Sequence, residues 1–301
     1  MSETFSTEDL HLLLGSWELA LRAERKSAQT LKSYGDGIRL YLKWAEGRGL
    51  AADLSRAQVR AFVDDLLQGA AAPATARSRH LALRRFSAWL TEEGERESDP
   101  LVGLKPPKLD QQVIEPLSDD ELRDLIKACA GKEFRDRRDE AIVRFMAETG
   151  TRAGETAALQ IEDVNLAGAT VTVRRGKGGK GRVVPIGPQV AQSIDRYIRA
   201  RRAHRLAALP GLWLGERGKG FTYDALHKTL QYRAARAGIA RFHPHLLRHT
   251  AAHRWLAAGG SEGGLMAVAG WTRPDMLLRY TKAQAEARAA DEAKRLNLGD
   301  L

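Results

Sequence analysis

The sequence has a single cysteine, Cys129, among its 301 residues. One thiol excludes an intramolecular disulfide and a cysteine-rich zinc site, and it is typical of a protein that works in a reducing cytosol. Cys129 follows Leu122, Leu125 and Ile126 at helical spacing. We therefore interpret it as a small core residue and not as a nucleophile.

The chain also lacks a long apolar run. No stretch approaches the roughly 20 residues that a membrane-spanning helix needs. Residues 1–10, MSETFSTEDL, do not have the basic segment followed by an apolar run that marks a signal peptide. We expect a cytoplasmic protein with no membrane partner.

Acidic residues are too few to balance the basic ones. The net charge is +10, and the isoelectric point is near 9.9. Such a surplus favours a polyanionic partner, because lysines and arginines release counterions when they bind phosphates. Residues 1–105 contain 15 Lys+Arg and 15 Asp+Glu, so the rest of the chain carries the whole surplus. From charge alone, a merely soluble basic protein remains the alternative interpretation.

The first hundred residues have no strand pattern. Leu31, Tyr34 and Ile38 recur at helical spacing, and similar patterns cover 55–68 and 75–93. The sequence therefore predicts a helical bundle over residues 1–103. Residues 104–116 are rich in proline, which denies a continuous helix, so we interpret them as a linker.

Residues 117–301 predict a mixed second domain. Ser118 and Glu121 form a capping-box pattern that opens its first helix. Two β-branched runs, 169–174 and 182–186, flank a Gly/Lys-rich turn and predict a β-hairpin. The fold class is therefore mainly α with a small antiparallel hairpin or sheet, in two domains. The predicted helices of the second domain cover 118–129, 136–149, 188–208, 222–237, 244–259, 261–269 and a tail at 283–296.

Two glycine-rich segments contain residues suited to holding a phosphate. Arg152, in TGTRAGE, opens a helix beside free backbone N–H groups, although a solvated arginine near a helix end would look the same. The turn GKGGKG carries Lys177 and Lys180. It is not a nucleotide-binding P-loop, because no Ser or Thr follows a Gly-Lys pair and a strand follows the turn. It is either a solvated turn or a hairpin that carries lysines into a DNA groove.

The segment HPHLLRHT is the most distinctive. His245 and Arg248 are three residues apart on one helical face, near a helix start that Pro244 fixes. His245, His249 and His253 form a stripe that would also suit zinc. The metalloprotease pattern, however, needs a glutamate directly after its first histidine, and leucine stands there.

Taken singly, Trp271 and Tyr280, near the end of the chain, would each be interpreted as structural aromatic residues. In the order Arg, Lys, His-x-x-Arg, Trp, Tyr, the motifs resemble the tyrosine recombinases of the phage integrase and Xer type. The resemblance implies a SAM-like helical core-binding domain followed by an α+β catalytic domain. It also implies six catalytic residues: Arg152, Lys177, His245, Arg248, Trp271 and the nucleophile Tyr280.

The resemblance implies a role for each side chain. Tyr280 would form a 3′-phosphotyrosyl bond, and the two arginines would hold the phosphate oxygens. His245 would accept the tyrosine proton, and Lys177 would protonate the leaving 5′-oxygen, with Lys180 as the alternative. Glu155 and His249 would orient these groups. Two departures from the family pattern are Trp271, where a histidine is usual, and Gly154, where many members have serine.

The resemblance further implies that the partner is a double-stranded DNA core site, bound by four protomers that exchange strands through a Holliday junction. It implies no metal and no cofactor. The tail after Tyr280 would dock on a neighbouring protomer or on its own domain. The predicted DNA-binding residues are Arg77, Arg79, Arg84, Arg85, Lys105, Lys180 and Arg182.

Other functions remain open at this point. A type IB topoisomerase shares the tyrosine chemistry, and a non-catalytic DNA-binding protein could share the fold. Among recombinases, the motifs do not distinguish an integrase of a mobile element from a resolvase of chromosome or plasmid dimers. They also leave open the target sequence and the need for accessory proteins or a second recombinase.

Overall fold

A computed structural model of the chain describes residues 7–109, 114–174, 181–215, 220–271, 273 and 277. The chain divides into two compact units, Met1–Gln112 and Val113–Leu301. This division falls inside the predicted linker, 104–116. Among the residues described, no helix has both the length and the apolar character needed to cross a membrane.

The described part of the first unit is a bundle of four helices. Their starts follow ordinary capping chemistry: the hydroxyls of Ser27 and Ser55 accept backbone N–H groups three residues later, and a proline occupies the first turn of the last helix. This confirms the predicted helical character. The helices are α1 (Thr7–Ala23), α2 (Ala28–Glu46), α3 (Arg56–Gln68) and α4 (Pro73–Glu92).

Aromatic side chains fill the core of this bundle. The ring of Trp17 lies 5.1 Å from that of Phe86, and Tyr41 meets Phe62 edge-on at 5.3 Å. The sequence analysis did not delimit α1, although Leu10, Leu14, Trp17 and Leu21 are all buried along one face of it. Their spacing of four, three and four residues is the signal that could have found the helix.

The second unit is mixed, as predicted. Its described residues form helices and one small sheet. The helices are α5 (Asp119–Lys127), α6 (Phe134–Thr149), α7 (Ala153–Ala157), α8 (Pro188–Arg202), α9 (Tyr223–Arg236), α10 (Pro244–Ala257) and α11 (Glu262–Ala269), with a 3-10 turn at Ile161–Asp163.

The sheet has three antiparallel strands in the order β1 (Val164–Asn165), β2 (Thr170–Val173) and β3 (Arg182–Pro185). The pairing of β2 with β3 confirms the predicted hairpin, and its inner register pairs Val173 with Arg182. The short β1 was missed because two residues show no alternation. The turn at 175–180 lies outside the described residues.

Helix α8 is shorter than predicted: it ends at Arg202 and not at 208. The reason is the side chain of Arg201, which is buried at 6% exposure. Its guanidinium donates to the carbonyls of Ala207 at 3.0 Å, Gly211 at 2.8 Å and Leu212 at 3.1 Å. These bonds satisfy the backbone of a folded-back loop, which replaces the last helical turns.

Helix α6 forms the centre of the second unit. Ile142, Phe145 and Met146 are fully buried on it. The carboxylate of Asp139, also fully buried, accepts hydrogen bonds from Arg138 at 2.8 Å and from Arg233 of α9 at 2.8 Å. A buried ion pair of this kind fixes the position of one helix against another, because separating it would leave a charge unpaired. The first half of α6 is thereby held against α9.

Candidate active site

The site begins at the turn after α6. Gly150 ends the helix with φ +61°, in the left-handed region that favours glycine. A Cβ atom here would lie 3.3 Å from the Cβ of Ala251, so the turn passes close to α10. The Gly150 carbonyl accepts a hydrogen bond from Nη1 of Arg248 at 2.6 Å. The turn at Gly150 thus places the end of α6 in contact with Arg248 of α10.

Among the predicted catalytic residues that the structure describes, Arg248 is the most deeply buried, with 1% exposure. Its guanidinium carbon lies 5.2 Å from the centre of the Trp271 ring. The aromatic face is a favourable neighbour for a cation. Burying a guanidinium is costly unless acceptors or an anion compensate it. This placement suits the binding of an anionic group.

Arg152 contacts the same segment. Its Nη2 lies 3.4 Å from the carbonyl oxygen of Gly270, the residue before Trp271. The side chain is 24% exposed, so the second guanidinium is accessible to a ligand. Arg152 and Arg248 therefore contact two consecutive residues at the end of α11.

Glu155 holds Arg152 in this position. Its carboxylate, on a side chain that is 5% exposed, accepts the Arg152 backbone N–H at 3.0 Å and Nη1 at 2.7 Å. It also accepts Nη2 of Arg182 at 2.8 Å. Burial raises the pKa of Glu155, but the hydrogen bonds from Arg182 and Arg152 outweigh it and lower the pKa below its ordinary value. Glu155 therefore remains a carboxylate that orients two guanidinium groups.

A buried chain of hydroxyl groups supports this loop. The Thr151 hydroxyl lies 3.2 Å from that of Thr149 and 2.9 Å from that of Thr156, and Trp213 donates its indole N–H to the Thr156 carbonyl at 2.8 Å. The sequence analysis missed these supporting residues. Thr149 and Thr151 lie within the TGTRAGE segment and Thr156 follows it directly, which is the one signal that could have found them. Nothing in the sequence pairs Trp213 with this segment.

The predicted histidines lie on α10. His245 is exposed in its first turn, and His249 is buried. Their rings meet edge-on with centroids 4.8 Å apart. His245 is therefore exposed on α10, the helix that also carries the buried Arg248. Within the part of the chain that the structure describes, no group of three or more His, Cys, Asp or Glu side chains could hold a metal ion.

Three predicted residues, Lys177, Lys180 and Tyr280, lie outside the described residues. Trp271 is buried at 4% exposure between α10 and α11. The structure thus brings Arg152, Glu155, Arg248 and Trp271 together around the end of α11. Nearby on α10 are His245 and His249.

The predicted DNA-binding residues of the first unit differ in their surroundings. Nη1 of Arg77 donates to the Pro107 carbonyl at 3.1 Å, and Nη1 of Arg79 donates to the Ser33 carbonyl at 3.0 Å. Arg84 is half-buried, whereas Arg85 and Lys105 are exposed. In the second unit, Arg182 is 12% exposed and bonds within the protein. DNA binding by these residues stays a prediction.

Solved structures share this fold. The site-specific recombinase XerH, bound to a palindromic difH substrate after cleavage, matches with a TM-score of 0.74 at 17% identity, covering 96% of this chain and 84% of that one. A lambda integrase dimer bound to a COC' core site matches with a TM-score of 0.69 at 16% identity, covering 90% and 76%. These likenesses define the fold class of the chain.

Sequence comparison identifies the family. The profile of the phage integrase family matches residues 115–287, and that of the phage integrase N-terminal SAM-like domain matches 14–94. Tyrosine recombinase XerC of Chromobacterium violaceum is 33% identical over 237 residues, 78% of each chain. XerD of Corynebacterium glutamicum is 29% identical over 289 residues, covering 92% of this chain and 95% of the relative. The chain belongs to the phage integrase family of tyrosine recombinases, enzymes that transfer DNA strands in site-specific recombination.

Proposed function

We propose that this recombinase cleaves double-stranded DNA at a core site through Tyr280. The tyrosine oxygen attacks the scissile phosphorus, forming a 3′-phosphotyrosyl bond while the bond to the 5′-oxygen breaks. Rejoining reverses these steps with the 5′-hydroxyl of the other DNA strand. The observation that carries the proposal is the convergence of Arg152 and Arg248 on Gly270 and Trp271, nine residues before the tyrosine.

The two guanidinium groups supply the electrostatic part of the mechanism. Negative charge grows on the non-bridging oxygens as the phosphorus becomes five-coordinate, and donors that are already oriented stabilise that charge most. Glu155 keeps Arg152 oriented, and the Gly150 carbonyl does the same for Arg248. Pre-oriented arginines therefore favour the transition state over the ground state.

Two proton transfers complete the reaction. A tyrosine has an ordinary pKa of about 10 and is a weak nucleophile near neutral pH, so His245 accepts its proton during attack. Lys177 donates a proton to the departing 5′-oxygen, with Lys180 as the alternative donor. Trp271 can donate its indole N–H to a phosphate oxygen, but it cannot shuttle a proton. The proton acceptor is therefore assigned to His245 and not to position 271.

The functional assembly in this proposal is a tetramer on two DNA sites. A lambda integrase tetramer has been solved on a Holliday junction, and it shares this fold with a TM-score of 0.66 at 16% identity. By analogy, four protomers exchange strands in pairs in the cytoplasm, and the tail after Tyr280 docks on a neighbour. Whether the product is an integrated element or a resolved dimer depends on the DNA site.

The experiment that tests the proposal traps the covalent intermediate. A suicide DNA site, nicked near the cleavage position, is incubated with wild-type protein, Tyr280→Phe and the control Tyr232→Phe. Tyr232 is a 54% exposed tyrosine of the same unit, which makes it a matched phenol outside the site. Wild type and the control should yield a DNA–protein adduct stable to denaturing electrophoresis, and Tyr280→Phe should yield none. An adduct with Tyr280→Phe would refute the assignment.

A further inference from the structure

Arg182 occupies a junction of the second unit. It is the first residue of β3, it follows the lysine-bearing turn, and it pairs with Val173 across the hairpin. Its Nη2 donates to Oε2 of Glu155 at 2.8 Å, and its Nε donates to the carbonyl of Val268 at 2.8 Å. One side chain therefore joins the hairpin, the arginine-holding carboxylate and the end of α11.

The packing around this side chain leaves little freedom. The guanidinium lies against Gly270, where an added Cβ would come within 2.8 Å of Nη1. Gly270 has φ +65° and ends α11 immediately before Trp271. The left-handed backbone favours glycine at this position, and an added Cβ would displace the Arg182 guanidinium. The segment that leads to Trp271 is thus shaped around the Arg182 guanidinium.

A guanidinium is suited to this task in a way that an ammonium is not. Its planar fork donates in two fixed directions, here to a carboxylate and to a backbone carbonyl. With 12% exposure, the group is directed into the protein and has little surface left for a DNA phosphate. The Glu155 carboxylate accepts a hydrogen bond from Arg182 on one oxygen and from the Arg152 side chain on the other.

We propose that Arg182 is a positioning residue of the recombinase: it fixes the start of β3 relative to Glu155, which holds Arg152, and to the segment that leads to Trp271. The inference rests on the function proposed above and assigns to the protein interior a guanidinium that the sequence pattern assigned to DNA. Removing it should misalign donors around the phosphate without removing a DNA contact. Mutating the partners that orient metal-binding side chains typically costs about 10–100-fold in activity, and we expect a loss of similar size here.

The test separates DNA binding from cleavage. For wild type, Arg182→Ala, Arg182→Gln and Arg182→Lys, the Kd for an uncleaved site is measured across a salt series, and the single-turnover rate of adduct formation is measured on saturated suicide DNA. Arg182→Ala and Arg182→Gln should keep the wild-type Kd and its salt slope but form adduct about 10–100-fold more slowly. Arg182→Lys, which keeps the charge and one bond, should recover part of the rate.

Arg144→Ala is the matched control. Arg144 pairs with Glu140 on α6 at 2.7 Å, with 23% exposure, and belongs to the same unit. Its loss should leave the rate per bound protein unchanged. Each rate is normalised to folded, DNA-bound protein, so partial unfolding does not imitate the effect.

The outcomes are distinguishable. If wild-type protein forms no adduct, the proposed function fails. If wild type forms adduct and Arg182→Ala forms it equally fast, the positioning role alone fails. A weaker Kd with a salt slope reduced by about one unit would show that Arg182 contacts a phosphate, which also overturns the inference. An equal slowing by Arg182→Lys and Arg182→Ala, without any recovery, would overturn the part of the inference by which one retained donor preserves some of the positioning.

Discussion

The guanidinium carbon of Arg248 lies 5.2 Å from the centre of the Trp271 ring, and both side chains are buried. Many family members have a histidine at the tryptophan position. Here the larger ring fills space between α10 and α11 and offers its face to the arginine. Trp271 therefore packs against Arg248, and we predict a second, separable task for it: donating its indole N–H to the phosphate.

Substitution at Trp271 separates these tasks. Trp271→Phe keeps an aromatic face for Arg248 but has no N–H, so we expect adduct formation on suicide DNA to slow about 100-fold, as for loss of one transition-state donor. Trp271→His restores a donor and should cleave within about tenfold of wild type. Trp89→Phe, a buried tryptophan of the first unit, is the control. Full activity of Trp271→Phe would mean that the indole N–H does not reach the phosphate.

The turn at Gly150 predicts an effect on stability. Gly150→Ala places a Cβ on a left-handed residue, 3.3 Å from Ala251, so we expect the free energy of unfolding to fall by about 1–2 kcal/mol. Gly154→Ala is the matched control, because nothing lies within 4 Å of its added Cβ and its position is helical. That change should be neutral or stabilise by up to about 1 kcal/mol. Urea unfolding measures both, and equal effects would contradict the strain argument.

The sequence predicted helix starts that depend on neighbouring residues. Helix α5 begins at the Ser118 capping box, and α10 begins at Pro244. The features that the sequence analysis missed depend on contacts between residues far apart in the chain. The end of α8 depends on Arg201 bonding to carbonyls up to 11 residues away, and the place of Arg182 depends on Glu155, 27 residues earlier. Periodicity carries no information about such pairs, so the sequence indicated that Glu155 orients its neighbours but not that Arg182 is one of its partners.

Glu121 predicts a pH dependence of stability. Its carboxylate accepts hydrogen bonds from Arg241 at 2.9 Å and from the Ser118 backbone N–H at 2.9 Å. These bonds, the Arg241 side chain first, lower its pKa from 4.5 to about 2. A carboxyl with a depressed pKa contributes stability above pH 4.5, and the contribution disappears as the pH falls towards 2.

We therefore compare wild type with Glu121→Gln by denaturant unfolding between pH 7 and pH 2. The partly exposed ion pair is screened by solvent, so the difference should be about 0.5–1 kcal/mol at pH 7. It should shrink steadily below pH 4.5. Arg241→Gln removes the same bonds from the other side and should follow the same curve. A difference that stays constant down to pH 2 would exclude the carboxylate as its source.

The identity of the general acid is the last prediction. If Lys177 protonates the leaving 5′-oxygen, Lys177→Ala should bind DNA with nearly wild-type affinity yet form adduct about 100–10,000-fold more slowly, the usual range for acid catalysis. A 5′-thio substrate has a leaving group that needs no proton. It should therefore restore the rate of Lys177→Ala, while leaving a slow Arg152→Ala variant slow, because that variant lacks charge stabilisation.

Lys180→Ala provides the comparison within the same turn, since it removes an equal charge three residues away. If the thio substrate rescued Lys180→Ala and not Lys177→Ala, the roles of the two lysines would be exchanged. Rescue of neither would remove the acid from this turn. Loss of affinity with an unchanged cleavage rate would instead mark the lysine as a phosphate contact, because a contact made equally in the bound and transition states changes binding alone.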